Sequence, residues 1–375
     1  MNTAINGNGM NILNGTELNV LNEMTESINV NDCLLQLYEE HYELEDYQKG
    51  VPRWCTGCGD NAILTAVQRL CRDEALPPEK TVFVSGIGCS SRLPHYMNTY
   101  GFHSIHGRAL PLAEGVRLAR PDLKVFVNMG DGDCCSIGAA HWIHAIRYNM
   151  NMTVMLHDNN IYGLTKKQAS PTSPIGLKTN TTPSGAYLDA LNPLTVTLGV
   201  TNVSFVAQAV DWIPKTLYQI LSAAYHHKGL SFVRIIQRCP EWLPTHMDEY
   251  LHDPQRVLLL HHENGLEIDP ELAKRYTNMQ EHDPSNLNRA REVASGTDPI
   301  PVGILYRNDE VPLYEEIRAD SRLRTTSLVR NGLEAEFDKF TIWPSLVAQT
   351  SVRDPSPKSQ TEVCATSVQT YGSES

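Results

Sequence analysis

Basic residues are scarce in this chain and are missing altogether from its first 48 positions. Against 43 Asp and Glu stand 31 Lys and Arg, a net charge of −12, which argues against the cationic footprint that a nucleic-acid backbone demands. A start without Lys or Arg has neither the basic n-region of a secretory signal nor the Arg-rich face of a transit peptide. Long apolar runs are absent too, and none approaches the ~20 residues of a membrane span. The expectation is a cytoplasmic protein that partners neither membrane nor nucleic acid. In a reducing compartment nine cysteines are poor material for a disulfide framework, so metal, cluster or redox chemistry gains weight.

What is present is a soluble composition, 41% apolar over 375 residues, with room for one large α/β domain and appendages. Residues 1–45 read as a largely flexible arm, rich in Asn, Gly, Thr and Ser, and residues 347–375, with Cys364, as a disordered Ser, Thr, Pro and Gln tail. Between them, "TVFVS" (81–85), "KVFVNM" (124–129), "TVMLH" (153–157) and "SFVRIIQ" (231–237) are continuously apolar or nearly so, as strands of a parallel sheet covered on both faces should be. Asn61 to Arg72 carries Ile63, Leu64, Val67, Leu70 and Cys71 on one helical face, which makes Cys71 a core residue. The expected fold is α/β, an open, mostly parallel sheet with helices on both faces over residues 46–240. Residues 241–346, charged and scattered with Pro and His, form a C-terminal extension packing on the domain or a partner. The histidines there (His246, His252, His261, His262) lack compact metal-ligand spacing and read as structural.

The unusual residues fall at strand ends. "GIGCSSR" (86–92), "GDGD" (130–133), "DNNIYG" (158–163) and "RCP" (238–240) each begin within a residue or two of a strand's carboxyl end, where open parallel sheets bind ligands. Gly130-Asp131-Gly132 is followed, 26 residues on, by Asn159-Asn160. The Asp131 carboxylate, the Asn159 amide oxygen and the Ile161 carbonyl are hard oxygen donors of the kind Mg²⁺ takes beside a diphosphate. The glycines let the backbone approach phosphate, and the helix beginning near Cys135 points its N–H groups at it. Cys134 and Cys135 read as small residues lining that turn. Cys55 and Cys58, in "RWCTGCGDN", could by themselves hold zinc, cycle as a disulfide or ligate an iron–sulfur cluster.

This constellation resembles the metal and diphosphate motif of thiamine diphosphate enzymes. Together with "RWCTGCGDNAIL", "GIGCSSR", "HGRALPLAEGVRLARPDLKV" and "YGLTKKQASPTSP" it resembles the β subunit of the 2-oxoacid:ferredoxin oxidoreductases over roughly residues 50–240, most closely the 2-oxoglutarate branch. One departure stands out, since many members carry Gly where Lys167 stands. The resemblance implies thiamine diphosphate and Mg²⁺ held by Gly130, Asp131, Gly132, Asp133, Asn159, Ile161, Tyr162, Gly163 and His106. It implies a [4Fe–4S] cluster on Cys55, Cys58, Cys89 and Cys239, and a substrate pocket with Arg92, Lys166 and Leu164. The implied reaction is oxidative decarboxylation of a 2-oxoacid to acyl-CoA and CO₂, with electrons passing through the cluster to ferredoxin, or the reverse carboxylation.

A Cys₄ zinc site would carry no redox chemistry, and thioredoxin-like exchange would leave Cys89 and Cys239 without a role. A thiamine-dependent decarboxylase or synthase without a cluster is the main alternative, and pyruvate the alternative substrate. No second α/β domain is evident to supply the glutamate that activates the cofactor's pyrimidine. An obligate α subunit sharing the active site is therefore expected, with the complex dimerised by symmetry as α2β2, that is (αβ)2.

Overall fold

The computed structural model describes residues 41–319, 333 and 335–337. Most of the expected arm (1–40) and the whole expected tail (347–375, Cys364 included) lie outside the described residues. The chain divides into two units after Arg318, and everything below concerns the first.

Four strands appear where continuous apolar runs require them: β1 (Thr81–Ser85), β3 (Lys124–Gly130), β4 (Met152–Asp158) and β8 (Leu230–Ile236), with β2 (Tyr100–His103) between the first two. Period-two alternation sorts their side chains onto two faces. Phe83, Phe126, Met155 and Val233 enter one core with Ile63, Leu70 and Cys71 of helix α1 (Asp60–Asp73). Val82, Val84, Val125, Val127, Val154 and Phe232 enter the other, with Leu110 of α2 (Ala109–Ala119) and Trp142 of α3 (Ala139–Tyr148). Both faces being covered is why these runs show no polar alternation. The rings of Phe83 and Phe126 stack at 4.8 Å across the β1–β3 pair.

After β4 the chain makes a small hairpin, β5 (Ile161–Tyr162) and β6 (Gln168–Ala169), then a short helix α4 (Pro193–Leu198), strand β7 (Phe205–Val210) and helix α5 (Pro214–His226) leading into β8. Residues 241–346, expected as a packed extension, contribute more than that. Three of their segments, β9 (Val257–His261), β10 (Met279–Glu281) and β11 (Ile300–Arg307), are strands of the sheet itself. The nine strands run in the order β10-β9-β11-β7-β8-β4-β3-β1-β2, parallel except where β11 meets β7. Among the described residues no helix is long and apolar enough to cross a membrane.

The helix expected near Cys135 starts differently. The backbone turns helical already at Asp131 and Gly132, Asp133–Ile137 form a single π-helical turn, and the regular helix α3 runs from Ala139. Such turns widen the backbone and are frequent at functional sites.

Two consequences are measurable. Phe126→Ala, at a fully buried stacked ring, should lower unfolding free energy by about 3–5 kcal/mol in urea, whereas Tyr100→Ala on the exposed edge strand should change it by roughly 0.5 kcal/mol or less. On α2, Glu114 has one carboxyl oxygen buried without a hydrogen-bond partner among the described residues, and burial pushes its carboxyl up to about 7. Below about pH 4.5 the group is neutral in folded and unfolded chain alike. As pH rises through 7 only the folded state resists ionising, so stability is lost. Glu114→Gln should therefore leave the melting temperature unchanged near pH 4.5 and raise it at pH 8.

Candidate active site

The carboxyl ends of β1, β3, β4 and β8 open on one cavity of about 530 Å³, within the range of small-molecule and cofactor sites. Its wall contains the predicted residues His106, Gly130, Asp131, Gly132, Asp133, Asn159, Ile161, Tyr162, Gly163, Leu164 and Cys89. Parallel pairing makes this convergence. Gly130 of β3 lies opposite His157 of β4, which sets Asp131 beside Asp158 at the next position along each chain.

Asp131 is buried, and its Oδ2 accepts hydrogen bonds from Ser170 Oγ and from Thr172 Oγ1, the latter at 2.6 Å. Thr172 Oγ1 is also 2.8 Å from Asp158 Oδ1, so one hydroxyl proton stands between two carboxylates. Asp158 has a cation of its own, Arg234 at 2.7 Å. Asp131 has no ion-pair partner among the described residues. Burial, and then the charge of Asp158, push its carboxyl well above the usual carboxylate range. This carboxylate, without a cation among the described residues, shares the cavity wall with Asn159 and Ile161, whose side-chain and carbonyl oxygens are hard donors of the same kind. The side-chain oxygen of Asn159 accepts from Ile161 N at 3.1 Å, which fixes that turn.

The glycines of the motif serve close approach. A Cβ at Gly132 would fall 2.1 Å from the Tyr162 ring, whose hydroxyl donates to the Gly132 carbonyl at 3.1 Å. The β5–β6 hairpin thus lies directly on the turn. Asp133 reaches the cavity wall and also holds the loops around it. Its Oδ1 accepts from Gly107 N at 2.6 Å and Ile87 N at 3.2 Å and lies 2.6 Å from His106 Nδ1, tying three loops together. Burial raises its carboxyl above the usual range.

The four predicted cysteines gather at one side of this cavity. Gly163 sits between two of them, since a Cβ there would be 3.6 Å from Cys89 Sγ and 3.8 Å from Cys239 Sγ. Cys58 N donates to Cys55 O at 3.0 Å, and Trp54 Nε1 donates to Cys89 O at 2.7 Å. Cys58 is buried, Cys89 and Cys239 are half-buried and Cys55 is exposed. Burial, then the Asp60 carboxylate and then neighbouring thiols raise Cys58 far above the ordinary thiol range and Cys89 to about 12. A bound metal reverses that balance by holding the thiolate. Among the described residues no three His, Cys, Asp or Glu side chains close up as tightly as one metal ion needs. A mononuclear ion draws every sulfur to a bond of ~2.3 Å from one point.

Of the predicted substrate residues only Leu164 is on the cavity wall. Arg92 lies three residues beyond Cys89, its guanidinium donating to the Arg53 carbonyl at 3.3 Å. Lys166 is exposed, and both it and Lys167 adopt φ +70°, the left-handed region where glycine is at ease. That conformation is the physical reason a glycine suits position 167.

Several residues of the site belong to none of the motifs that the sequence displays. His157 lines the cavity with Nδ1 2.7 Å from Asp60 Oδ1 and Nε2 3.1 Å from Asn128 Nδ2, all three side chains buried. Gln237 lines it too. The only signal either offered was its place, one at the end of a strand and the other two residues before Cys239.

Fold and cavity together define a thiamine diphosphate-binding α/β domain. The family described as "Thiamine pyrophosphate enzyme, C-terminal TPP binding domain" matches residues 86–235, and the family describing the C-terminal part of the pyruvate ferredoxin oxidoreductase beta subunit matches 272–321. The chain is 38% identical to the 2-oxoacid:ferredoxin oxidoreductase subunit beta of Saccharolobus solfataricus, over 70% of this chain and 84% of that one. It is 50% identical to 2-oxoglutarate oxidoreductase subunit KorB of Mycobacterium tuberculosis, over half of each chain. A solved 2-oxoglutarate:ferredoxin oxidoreductase from Magnetococcus marinus, with 2-oxoglutarate, coenzyme A and succinyl-CoA bound, superposes with a TM-score of 0.68 at 36% identity, covering 77% of this chain and 92% of that one. The chain belongs to the 2-oxoacid:ferredoxin oxidoreductase β-subunit family, a family of oxidoreductases, and the similarities support its 2-oxoglutarate branch.

The contact between Gly132 and Tyr162 can be tested as a pair. Gly132→Ala should destabilise the chain by about 1–3 kcal/mol through overpacking, and Tyr162→Ala in the same molecule should recover most of that loss, a coupling read from urea unfolding of the single and double variants.

Proposed function

We propose that the chain is the cofactor-bearing β subunit of a 2-oxoglutarate:ferredoxin oxidoreductase, cytoplasmic, working with an α subunit that completes the active site. The observation that carries this reading is the shared wall: the Asp131 carboxylate, without a cation among the described residues, and Cys89 of the four-cysteine group line one cavity, with Cys239 beside Cys89 across Gly163.

In this reading Asp131, Asn159 and the Ile161 carbonyl hold Mg²⁺. Gly130, Gly132, Asp133, Tyr162, Gly163 and His106 form the cradle for thiamine diphosphate, and Cys55, Cys58, Cys89 and Cys239 ligate a [4Fe–4S] cluster. When bound, the two groups supply stabilisation of negative charge at the substrate's keto carbon and one-electron transfer to ferredoxin. The chain's own side chains do the positioning. Leu164 gives the cavity an apolar rim that limits water near the reacting carbon. Lys166 and Arg92, two and three residues from the wall residues Leu164 and Cys89, bind the carboxylates of a dicarboxylic 2-oxoacid. Tight anchoring of His106 beside Asp133 keeps the imidazole at the cofactor. The product acyl group passes to coenzyme A, and the same residues serve the carboxylating direction.

An α-subunit partner is supported by apolar side chains left exposed beside the cavity: Ile105 next to His106, Ile137 at the end of the π-helical turn, and Leu164. Apolar groups clustered at a site mouth mark a surface that another chain covers.

The test is metal and cofactor content of protein co-expressed with its partner and purified without oxygen. The expected result is about four irons and four acid-labile sulfides per chain after subtracting the partner's, with a visible band bleached by dithionite. Asp131→Asn should weaken Mg²⁺-dependent thiamine diphosphate binding by roughly tenfold or more in calorimetry while leaving iron content unchanged. Zinc or no metal on the cysteines, with thiamine binding intact, would replace this reading by a cluster-free decarboxylase or synthase.

A further inference from the structure

Gln237 is the side chain that touches both halves of the site. It leaves the end of β8, its backbone N–H donating to the Asp158 carbonyl at 2.9 Å, and its side chain is 2% exposed. The side chain lines the cofactor cavity, and its Nε2 lies 3.1 Å from Cys58 Sγ and 3.0 Å from the Arg238 carbonyl. A primary amide nitrogen carries two protons, so both contacts are made at once.

The surroundings hold this amide against the sulfur. A Cβ at Gly59 would be 2.7 Å from Gln237 Cγ and 2.6 Å from Asp211 Oδ2, so the residue after Cys58 must be small for the two loops to meet. Gly59 N donates to the Arg238 carbonyl at 3.1 Å, and Arg238 Nε is tied to Asp211 Oδ2 at 2.9 Å. On the other side of Cys58, Asp60 Oδ2 is 3.6 Å from the sulfur, and Asp60 Oδ1 is 2.7 Å from His157 Nδ1. Cys58 is thus the cysteine set between an amide donor and a carboxylate.

We propose that Gln237 sets the reduction potential of the cluster on the four cysteines by donating an N–H to the Cys58 sulfur. The inference rests on the cluster assignment above. Reduction adds one electron to the iron–sulfur core and makes its thiolates more negative, while no bond to the chain forms or breaks. The electron comes from oxidation of the 2-oxoacid and leaves to ferredoxin. An N–H···S hydrogen bond strengthens as the sulfur becomes more negative, so it favours the reduced state and raises the potential. The Asp60 carboxylate acts with opposite sign. Because Gln237 also faces the cofactor cavity, the group that tunes the acceptor stands beside the donor's binding site.

The experiment is a potentiometric titration of the complex followed by visible and electron paramagnetic resonance spectra, with iron and sulfide measured on each sample. Gln237→Met keeps the side-chain length and removes the donor. It should hold wild-type iron and sulfide while the reduced-to-oxidised ratio at the wild-type midpoint falls about tenfold, the scale of one hydrogen bond to a charged group. Gln237→Glu should fall further, and Asp60→Asn should shift the other way. Opposite signs from two neighbours of one sulfur are not produced by general loosening. Full cluster content with an unchanged midpoint in Gln237→Met overturns the proposal. Should that variant assemble no cluster, the wild-type complex with ¹⁵N-labelled glutamine side chains decides: nitrogen coupling to the reduced cluster in pulsed paramagnetic resonance supports the bond, and its absence overturns it. A wild-type complex with no iron on these cysteines defeats the cluster assignment itself, and the iron measurement identifies that failure.

Discussion

Two buried carboxylates, Asp131 and Asp158, stand side by side at the ends of adjacent strands with the single Thr172 hydroxyl proton between them. Buried charges need partners, and the rest of the site is arranged around that requirement. Arg234 of the next strand answers Asp158 and donates on to Gln208 of β7 at 3.0 Å, so three strands are joined by one polar chain. Among the described residues Asp131 has no cation. The metal and diphosphate site proposed above draws on that imbalance.

Around this pair the loops are held by close approach rather than by long side chains. Gly132 under Tyr162, Gly59 under Gln237 and Gly163 between Cys89 and Cys239 are each a point where a Cβ would meet a functional group at or inside van der Waals contact. Asp133 ties two loops to the π-helical turn through a single carboxylate oxygen. The polar chain from Asn128 through His157 and Asp60 to Cys58 then links the cavity to the cysteine group. The cofactor cradle and the cysteine group are two sides of one loop layer.

The central strands were legible because burial on both faces leaves an unbroken apolar run, and β1 begins and ends where its five residues require. Helix α1 was legible from its apolar stripe, which buries Cys71 fully. The outer strands were not. β9 and β11 lie in a charged, Pro-containing region, and β11 runs antiparallel to β7, a pairing no local pattern encodes. The GDGD and DNN motifs were legible as cavity residues because they stand at strand ends. Arg92 and Lys166 fall in loops, and local sequence does not say which way a loop side chain turns.

The sequence by itself determined which residue types stand at the carboxyl ends of which strands. Hydrophobic periodicity and turn glycines act over a few residues and depend on nothing distant. Only the tertiary structure decided which of those residues have partners. That Asp158 has an ionic partner, while Asp131 has none among the described residues, follows from β8 lying next to β4, which brings in Arg234. That Gln237 touches Cys58, 179 residues away in the chain, follows from two loops meeting over a glycine. Such contacts arise from the order of strands in the sheet, and strand order is a property of the whole chain's packing.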